Sequence, residues 1–213
     1  MNKFDPTLYF ITDSTGLSES DFLDRVNQAL EGGATMIQLR EKERTTREYI
    51  RLAEKVHAIA QSHRVPLIID DRVDVALATD AEGVHVGQTD MPVFIARKLM
   101  GSNRIVGATT KTVEQASEAY EQGADYLGVG AIYPTTTKVR TVLTSTDTLR
   151  DICAAVPIPV NAIGGLNSSN LDILSGIPIA GICVVSAIMK SQNPRAAARE
   201  LLDLSINMQK QLK

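Results

Sequence analysis

Two segments of the sequence combine side chains that suit phosphorylated ligands and hard cations. The loop Tyr133-Pro134-Thr135-Thr136-Thr137-Lys138 offers three hydroxyls and an ammonium on a turn that proline stiffens, which suits phosphate oxygens. The segment 84–92 passes from a short β-branched run to the carboxylate of Asp90, which suits Mg²⁺. Each segment follows a run typical of a β-strand, so we expect an enzyme that handles phosphorylated small molecules with Mg²⁺.

The composition fits one soluble domain, which we place over residues 1–213. Hydrophobic residues make up 44% of the chain and charged residues 22%. The net charge of −3 gives no overall electrostatic support for binding nucleic acid or an acidic membrane, and no stretch approaches the roughly 20 apolar residues of a membrane helix. Cys153 and Cys183 lack metal-ligand spacing and predict buried free thiols in a reducing cytoplasm. The sequence leaves homo-oligomerisation open.

Short apolar runs alternate with amphipathic helical stretches along the whole chain. Most of these runs are continuous rather than alternating, which is typical of parallel strands buried on both faces. Eight such units predict a (β/α)₈ TIM barrel of the α/β class. A doubly wound open sheet is the alternative, but 12–16 has the wrong spacing for a dinucleotide-binding loop. The predicted strands are Leu8–Thr12, Thr35–Leu39, Leu67–Ile69, Gly83–Val86, Ile105–Ala108, Tyr126–Val129, Val160–Ala162 and Gly181–Val184.

A barrel requires its active-site residues at the carboxyl ends of the strands. After the second strand, alternation places Gln38 and Arg40 on one side, and Lys42 continues that line. If that side faces the barrel axis, an amide and two cations point into the mouth. The alternative is a set of surface charges, which explains poorly a glutamine within an apolar strand.

Carboxylates follow the third and fourth strands. Asp70 and Asp71 come directly after an apolar run, and Asp90 lies in the loop after the next strand. Because neighbouring strand ends lie close together, Asp71 and Asp90 could share one Mg²⁺, with waters and substrate phosphates completing its shell. Capping of the helix at Val73 by Asp70 or Asp71 is the alternative.

The later strands end in groups that suit anions. Thr109 could meet a phosphate oxygen or cap the next helix, and His85 could be a satisfied core histidine or line the site. Gly164-Gly165 would let backbone N–H groups approach a phosphate, and Val185-Ser186 opens a short helical turn. These last two loops are where a barrel is expected to bind phosphate.

Taken together, these motifs resemble the thiamine phosphate synthase family, from Tyr9 to about Met189. That resemblance implies the joining of 4-amino-2-methyl-5-hydroxymethylpyrimidine diphosphate to 4-methyl-5-(2-hydroxyethyl)thiazole phosphate, which gives thiamine monophosphate and pyrophosphate. The motifs are Gln38-Leu39-Arg40-Glu41-Lys42, Asp71-Arg72-Val73-Asp74, Gly83-Val84-His85-Val86-Gly87-Gln88, Tyr133-Pro134-Thr135-Thr136-Thr137-Lys138 and Ala162-Ile163-Gly164-Gly165.

The resemblance also implies a role for each matched residue. Gln38 would contact the pyrimidine, and Asp71 with Asp90 would hold Mg²⁺. Arg40, Lys42 and Lys138 would act in catalysis on the diphosphate. Thr109 would also hold the diphosphate, which Asp70 would face, and the residues implied for the thiazole phosphate are Thr135, Thr137, Gly165, Val185 and Ser186. The remaining substrate-binding residues implied are Leu39, Glu41 and Thr136.

Three positions depart from the family pattern. Asp70 stands where Asn is common, and a carboxylate there would repel the diphosphate unless a cation offsets it. Thr109 replaces the usual Ser and keeps the hydroxyl, and Asn161 stands where Gly is common. The alternatives to a synthase are a thiazole tautomerase of the same barrel type and a barrel that binds thiazole phosphate without turnover.

Overall fold

The computed structural model describes residues 4–134 and 142–210, and it confirms the predicted barrel. Eight parallel strands close in sequence order, β1 pairing with both β2 and β8. The strands are β1 Leu8–Ile11, β2 Met36–Leu39, β3 Leu67–Asp70, β4 Gly83–Val86, β5 Ile105–Thr110, β6 Tyr126–Gly130, β7 Val160–Ile163 and β8 Gly181–Val184.

An α-helix follows every strand but β7, in line with the alternation seen in the sequence, and two helices follow β8. They are α1 Glu19–Glu31, α2 Thr46–Ser62, α3 Val73–Ala78, α4 Val93–Met100, α5 Val113–Glu121, α6 Thr146–Ala155, α7 Ser186–Met189 and α8 Pro194–Lys210. Between β7 and β8 the chain forms only a short 3₁₀ turn, Leu171–Leu174. No helix in the described part of the chain has the length and apolar character needed to span a membrane.

Local signals fix where several helices begin and end. Thr45 and Glu48 form a capping box at the start of α2, which satisfies backbone N–H groups that the helix leaves unpaired. Gly33 and Gly123 adopt φ of 101° and 97° after α1 and α5, the left-handed conformation expected of a helix terminator. The capping box ends the loop that follows β2 at the barrel mouth, whereas the two glycines end helices at the opposite face of the barrel.

Two apolar cores hold the barrel. The larger one lies between the strands and the surrounding helices, and the smaller one fills the barrel interior with residues such as Tyr9, Met36 and Tyr126. A β-carbon at Gly107 would overlap the ring of Tyr126, so glycine at that position makes room for the tyrosine. The interior core is therefore built from a few large side chains opposite glycines.

Candidate active site

A cavity of about 250 Å³ opens at the carboxyl ends of the strands, where the barrel was expected to place its active site. All eight strands or the loops that follow them contribute to its lining. The predicted site residues among the lining are Gln38, Arg40, Lys42, Asp70, Asp71, Asp90, Thr109, Gly165, Val185 and Ser186.

The residues of β2 follow the predicted alternation. Gln38, Arg40 and Lys42 line the cavity, whereas Leu39 and Glu41 point elsewhere. Leu39 is fully buried in the core beneath the helices. The side chain of Glu41 accepts hydrogen bonds from Ser14 Oγ and Arg44 Nε, both at 2.8 Å. The structure therefore does not bring Leu39 and Glu41 to the cavity.

Lys42 lies between two carboxylates. Its Nζ is 2.8 Å from Asp70 Oδ2 and also contacts Asp71 Oδ2, while Arg40 Nε lies 3.8 Å from Asp70. Burial, the largest influence, opposes charging of Lys42, but Asp70 and Asp71 together raise its pKa. Burial also raises the pKa of Asp70, and the attraction of Lys42 and Arg40 does not offset it. The cations predicted to bind an anionic ligand are thus held against acidic groups of the protein.

Asp71 and Asp90 meet across adjacent strand ends, as predicted. Asp71 adopts a φ of 59° in the left-handed region, which aspartate tolerates better than most residues, and its N–H donates to His85 O at 2.8 Å. Asp90 Oδ2 accepts from the Gly87 N–H at 2.9 Å. The pKa of Asp90 is raised, first by burial and then by its hydrogen bond with Asp71. Two carboxylates pressed together in this way favour a proton or a cation between them.

The donor set fits a magnesium ion that also binds its substrate. Within residues 4–134 and 142–210, no group of three or more His, Cys, Asp or Glu side chains could hold a metal by itself. Mg²⁺ typically takes one or two protein carboxylates and completes its shell with waters and substrate phosphates. Asp71 and Asp90 supply that number of carboxylates.

His85 is both a hydrogen-bonded residue of the interior and part of the cavity lining, the two positions that the sequence left open. The ring is buried and fully hydrogen-bonded, with Nδ1 3.0 Å from Tyr126 Oη and Nε2 2.8 Å from Thr109 Oγ1. It also lines the floor of the cavity. Thr109 lies within β5, which extends two residues beyond its predicted end, and its side chain bonds to His85. Thr112, not Thr109, caps α5.

The turn after β7 approaches the loop after β6 closely. Gly164 and Gly165 have φ of 107° and 66°, and a β-carbon on Gly165 would lie 2.7 Å from Tyr133 Cβ. Asn170 Nδ2 donates to Gly165 O at 2.9 Å and fixes the turn. After the neighbouring strand β8, Ser186 begins the short helix α7. Glycine is required here because the backbone turns where the neighbouring loop leaves no room for a side chain.

Four predicted site residues, Thr135, Thr136, Thr137 and Lys138, lie outside the described residues. Val142 is the first described residue after this segment, and its carbonyl oxygen accepts a hydrogen bond from Lys111 Nζ at 3.0 Å.

Sequence reasoning missed Tyr9 as a site residue. It lines the cavity, and its hydroxyl accepts from Gln38 Nε2 at 2.7 Å. A tyrosine within an apolar strand has the pattern of an ordinary core residue. The one available signal was the alternation of side chains along the strand. Tyr9 pairs with Met36, two residues before Gln38, so both side chains lie on the inward side of the barrel.

Comparison with known proteins assigns the fold and the family. A model of the thiamine monophosphate synthase family matches residues 8–188. The chain is 48% identical to thiamine-phosphate synthase 2 of Streptococcus pneumoniae serotype 4, over 95% of this chain and 96% of the relative. It is 47% identical to thiamine-phosphate synthase of Enterococcus faecalis, over 94% and 95%. A solved thiamine phosphate pyrophosphorylase from Pyrococcus furiosus superimposes with a TM-score of 0.86 at 39% identity, over 97% and 98%.

Proposed function

The chain belongs to the thiamine monophosphate synthase family, and from that premise we propose how it makes thiamine phosphate. The substrates are the aminopyrimidine diphosphate and the thiazole phosphate named above. The C–O bond between the pyrimidine methylene and the diphosphate breaks, and a C–N bond forms to the thiazole nitrogen. The products are thiamine monophosphate and pyrophosphate, so the enzyme is a transferase.

One observation carries this proposal. Arg40, Lys42, Asp71 and Asp90 line one side of the cavity that also contains the glycine turn at Gly165. Cations and carboxylates together suit a diphosphate bound with a metal, whereas a glycine turn suits a phosphate bound by backbone N–H groups. Two anions can therefore lie on either side of one reaction space.

The reaction chiefly requires stabilisation of the leaving group. The amino group of the pyrimidine can stabilise a benzyl-like cation, so the protein must chiefly stabilise charge on the departing diphosphate. We assign that role to Arg40, Lys42 and Lys138. Mg²⁺, held by Asp71 and Asp90, would supply further positive charge to the diphosphate when bound.

The thiazole phosphate needs positioning rather than activation. We assign its phosphate to Gly165, Val185 and Ser186, with the hydroxyls of residues 135–137. Since the thiazole nitrogen is itself the nucleophile, holding it near the cation supplies much of the remaining rate enhancement. The phenol of Tyr9 stays protonated because burial raises its pKa far above its ordinary value, so it does not act as a base.

The family assignment also bears on where the enzyme acts. We infer a cytoplasmic enzyme from the biosynthetic role and from the buried thiol of Cys183, whose pKa burial raises. Its partners are the two phosphorylated small molecules. Whether the chain also associates with copies of itself is a question that a measurement of molecular mass in solution answers.

The decisive experiment is detection of thiamine monophosphate by mass spectrometry from the two precursors, with and without EDTA. We expect the product with Mg²⁺ and none after EDTA. Conversion of one thiazole isomer into another without the pyrimidine would indicate the tautomerase instead. Binding of the thiazole phosphate without any turnover in the presence of both substrates and Mg²⁺ would indicate the silent barrel.

A further inference from the structure

A chain of buried hydrogen bonds crosses the barrel interior beneath the cavity. Gln38 Nε2 donates to Tyr9 Oη at 2.7 Å, and Tyr9 Oη lies 2.8 Å from Tyr126 Oη. Tyr126 Oη lies 3.0 Å from His85 Nδ1, and His85 Nε2 lies 2.8 Å from Thr109 Oγ1. Five strands contribute one residue each. The two ends of the chain, Gln38 and Thr109, both line the cavity.

The protons in this chain allow two directions. Burial raises the pKa of Tyr9 and of Tyr126 far above the ordinary value, so each phenol keeps its single proton. A neutral imidazole carries one N–H, and each hydroxyl donates once. When His85 is neutral and each hydroxyl donates to its neighbour in the chain, every donor points toward Thr109 or every donor points toward Gln38. A change at one end is transmitted to the other.

An anion at Thr109 selects one direction. Phosphate oxygens only accept hydrogen bonds, so Thr109 must donate its proton to a diphosphate and accept from His85 Nε2–H. His85 Nδ1 then accepts from Tyr126, Tyr126 accepts from Tyr9, and Tyr9 accepts from the amide nitrogen of Gln38. The amide oxygen of Gln38 is left for the ligand in the cavity.

An amide oxygen at this end suits an amino group. As the C–O bond breaks, its electron pair leaves with the diphosphate and positive charge spreads onto the amino nitrogen of the pyrimidine. A hydrogen bond from that amino group to Gln38 Oε1 strengthens as the charge grows, so it lowers the barrier rather than only binding the substrate. In the reverse direction, the NH₂ of Gln38 would face the amino group of the pyrimidine, and two donors would oppose each other.

We propose that Tyr9, Tyr126 and His85 are positioning residues, which turn the binding of diphosphate at Thr109 into an acceptor at Gln38 for the 4-amino group. The inference rests on the proposed function, because it takes the aminopyrimidine diphosphate as the ligand. It adds a specificity: the chain selects a 4-amino group against a 4-oxo group, which would present an acceptor to Gln38 Oε1.

Tyr126→Phe tests the relay without touching the ligand. Tyr126 is fully buried beneath the cavity, and phenylalanine keeps its edge-on packing against Tyr9, with ring centroids 5.6 Å apart. Without the Tyr126 hydroxyl, Tyr9 can donate to the amide oxygen of Gln38, and the direction of the hydrogen-bond chain is no longer set by the ligand at Thr109. Tyr49→Phe is the matched control, because Tyr49 is equally buried but its hydroxyl donates to Leu39 O on the outer side of β2.

The measurement is the ratio of dissociation constants for the aminopyrimidine diphosphate and its 4-oxo analogue, by calorimetry with Mg²⁺ and without the thiazole. We expect the wild type and Tyr49→Phe to prefer the amino compound by about 10²-fold, the scale of one buried unmatched hydrogen bond. We expect Tyr126→Phe to lose about tenfold of that preference and to show a lower kcat. An unchanged ratio in Tyr126→Phe would overturn the proposal.

Nitrogen NMR of the wild type gives a second test that does not depend on the folding of any variant. With inorganic pyrophosphate and Mg²⁺ bound, the proton of His85 should lie on Nε2, with Nδ1 unprotonated. A proton on Nδ1 would overturn the proposal. Neither binding nor NMR requires turnover, so a wild type that discriminates as expected but forms no thiamine phosphate would refute the proposed function alone.

Discussion

Asp70→Asn measures what a carboxylate contributes inside a diphosphate site. The Asp70 side chain is 10% exposed, and burial raises its pKa despite Lys42 and Arg40. Folding therefore favours the protonated acid, and the stability of the wild type falls as pH rises from about 4 through the raised folded pKa. Asparagine carries no charge at any pH. We expect the variant to equal or exceed the wild type in free energy of unfolding at pH 7, with a flatter pH dependence.

The same change should tighten the pyrimidine diphosphate. Lys42 now divides its charge between Asp70 and Asp71, and it is 45% exposed. An ion pair of that exposure is worth roughly 0.5–1 kcal/mol. If Lys42 attracts the ligand by that amount once Asp70 is neutral, KM for the diphosphate falls about two- to fivefold. Loss of like-charge repulsion acts in the same direction, and kcat should be nearly unchanged.

The assay is steady-state kinetics at saturating thiazole phosphate and Mg²⁺, together with urea unfolding between pH 4 and 8. Asp74→Asn is the matched control, because Asp74 is 60% exposed and pairs with Arg72 outside the cavity. It should leave KM for the diphosphate unchanged. A tenfold or larger rise of KM in Asp70→Asn would refute the reasoning, and would mean that Asp70 binds the metal or holds the cations in place.

Three further outcomes are expected from the assigned roles. EDTA should abolish turnover and Asp71→Ala should lower kcat by at least about 10²-fold, with Asp90→Ala milder because water can replace it; turnover that survives both treatments would remove the metal from the mechanism. Gly165→Val should mainly raise KM for the thiazole phosphate, because the new side chain meets Tyr133, whereas Gly16→Ala, at a similar left-handed φ of 76° but with no atom within 4 Å, should not. Lys138→Ala should lower kcat, since charge on the diphosphate grows in the transition state; a change confined to the thiazole KM would assign Lys138 to the other anion.

The parts of the site that sequence predicted are those set by backbone periodicity. Parallel strands of a barrel end at one face, so Arg40, Asp71 and Asp90 could be grouped from their places after apolar runs. The same periodicity explains where the assignment of whole motifs failed. Leu39 and Glu41 share a motif with Gln38 and Arg40, but alternate residues of a strand point to opposite sides.

Contacts between distant strands could not be read from the sequence. The hydrogen bond between Tyr9 and Tyr126 joins residues 117 positions apart, and it depends on the register of the closed barrel. The buried side chain of Asn161 is a similar case. It donates to Pro6 O at 2.7 Å, which only the folded N-terminal segment places there, and its Oδ1 has no partner among the described residues.

Under the proposed relay, the absence of a β-carbon at Gly107 would tie the stability of the enzyme to its selectivity. That glycine admits the ring of Tyr126, which packs the barrel from within and also holds one link of the polar chain under the cavity. Under that proposal, this interior could not be repacked without disturbing what the enzyme recognises. Variants that accept an altered pyrimidine ring should therefore carry compensating changes deep in the barrel, far from any atom of the ligand.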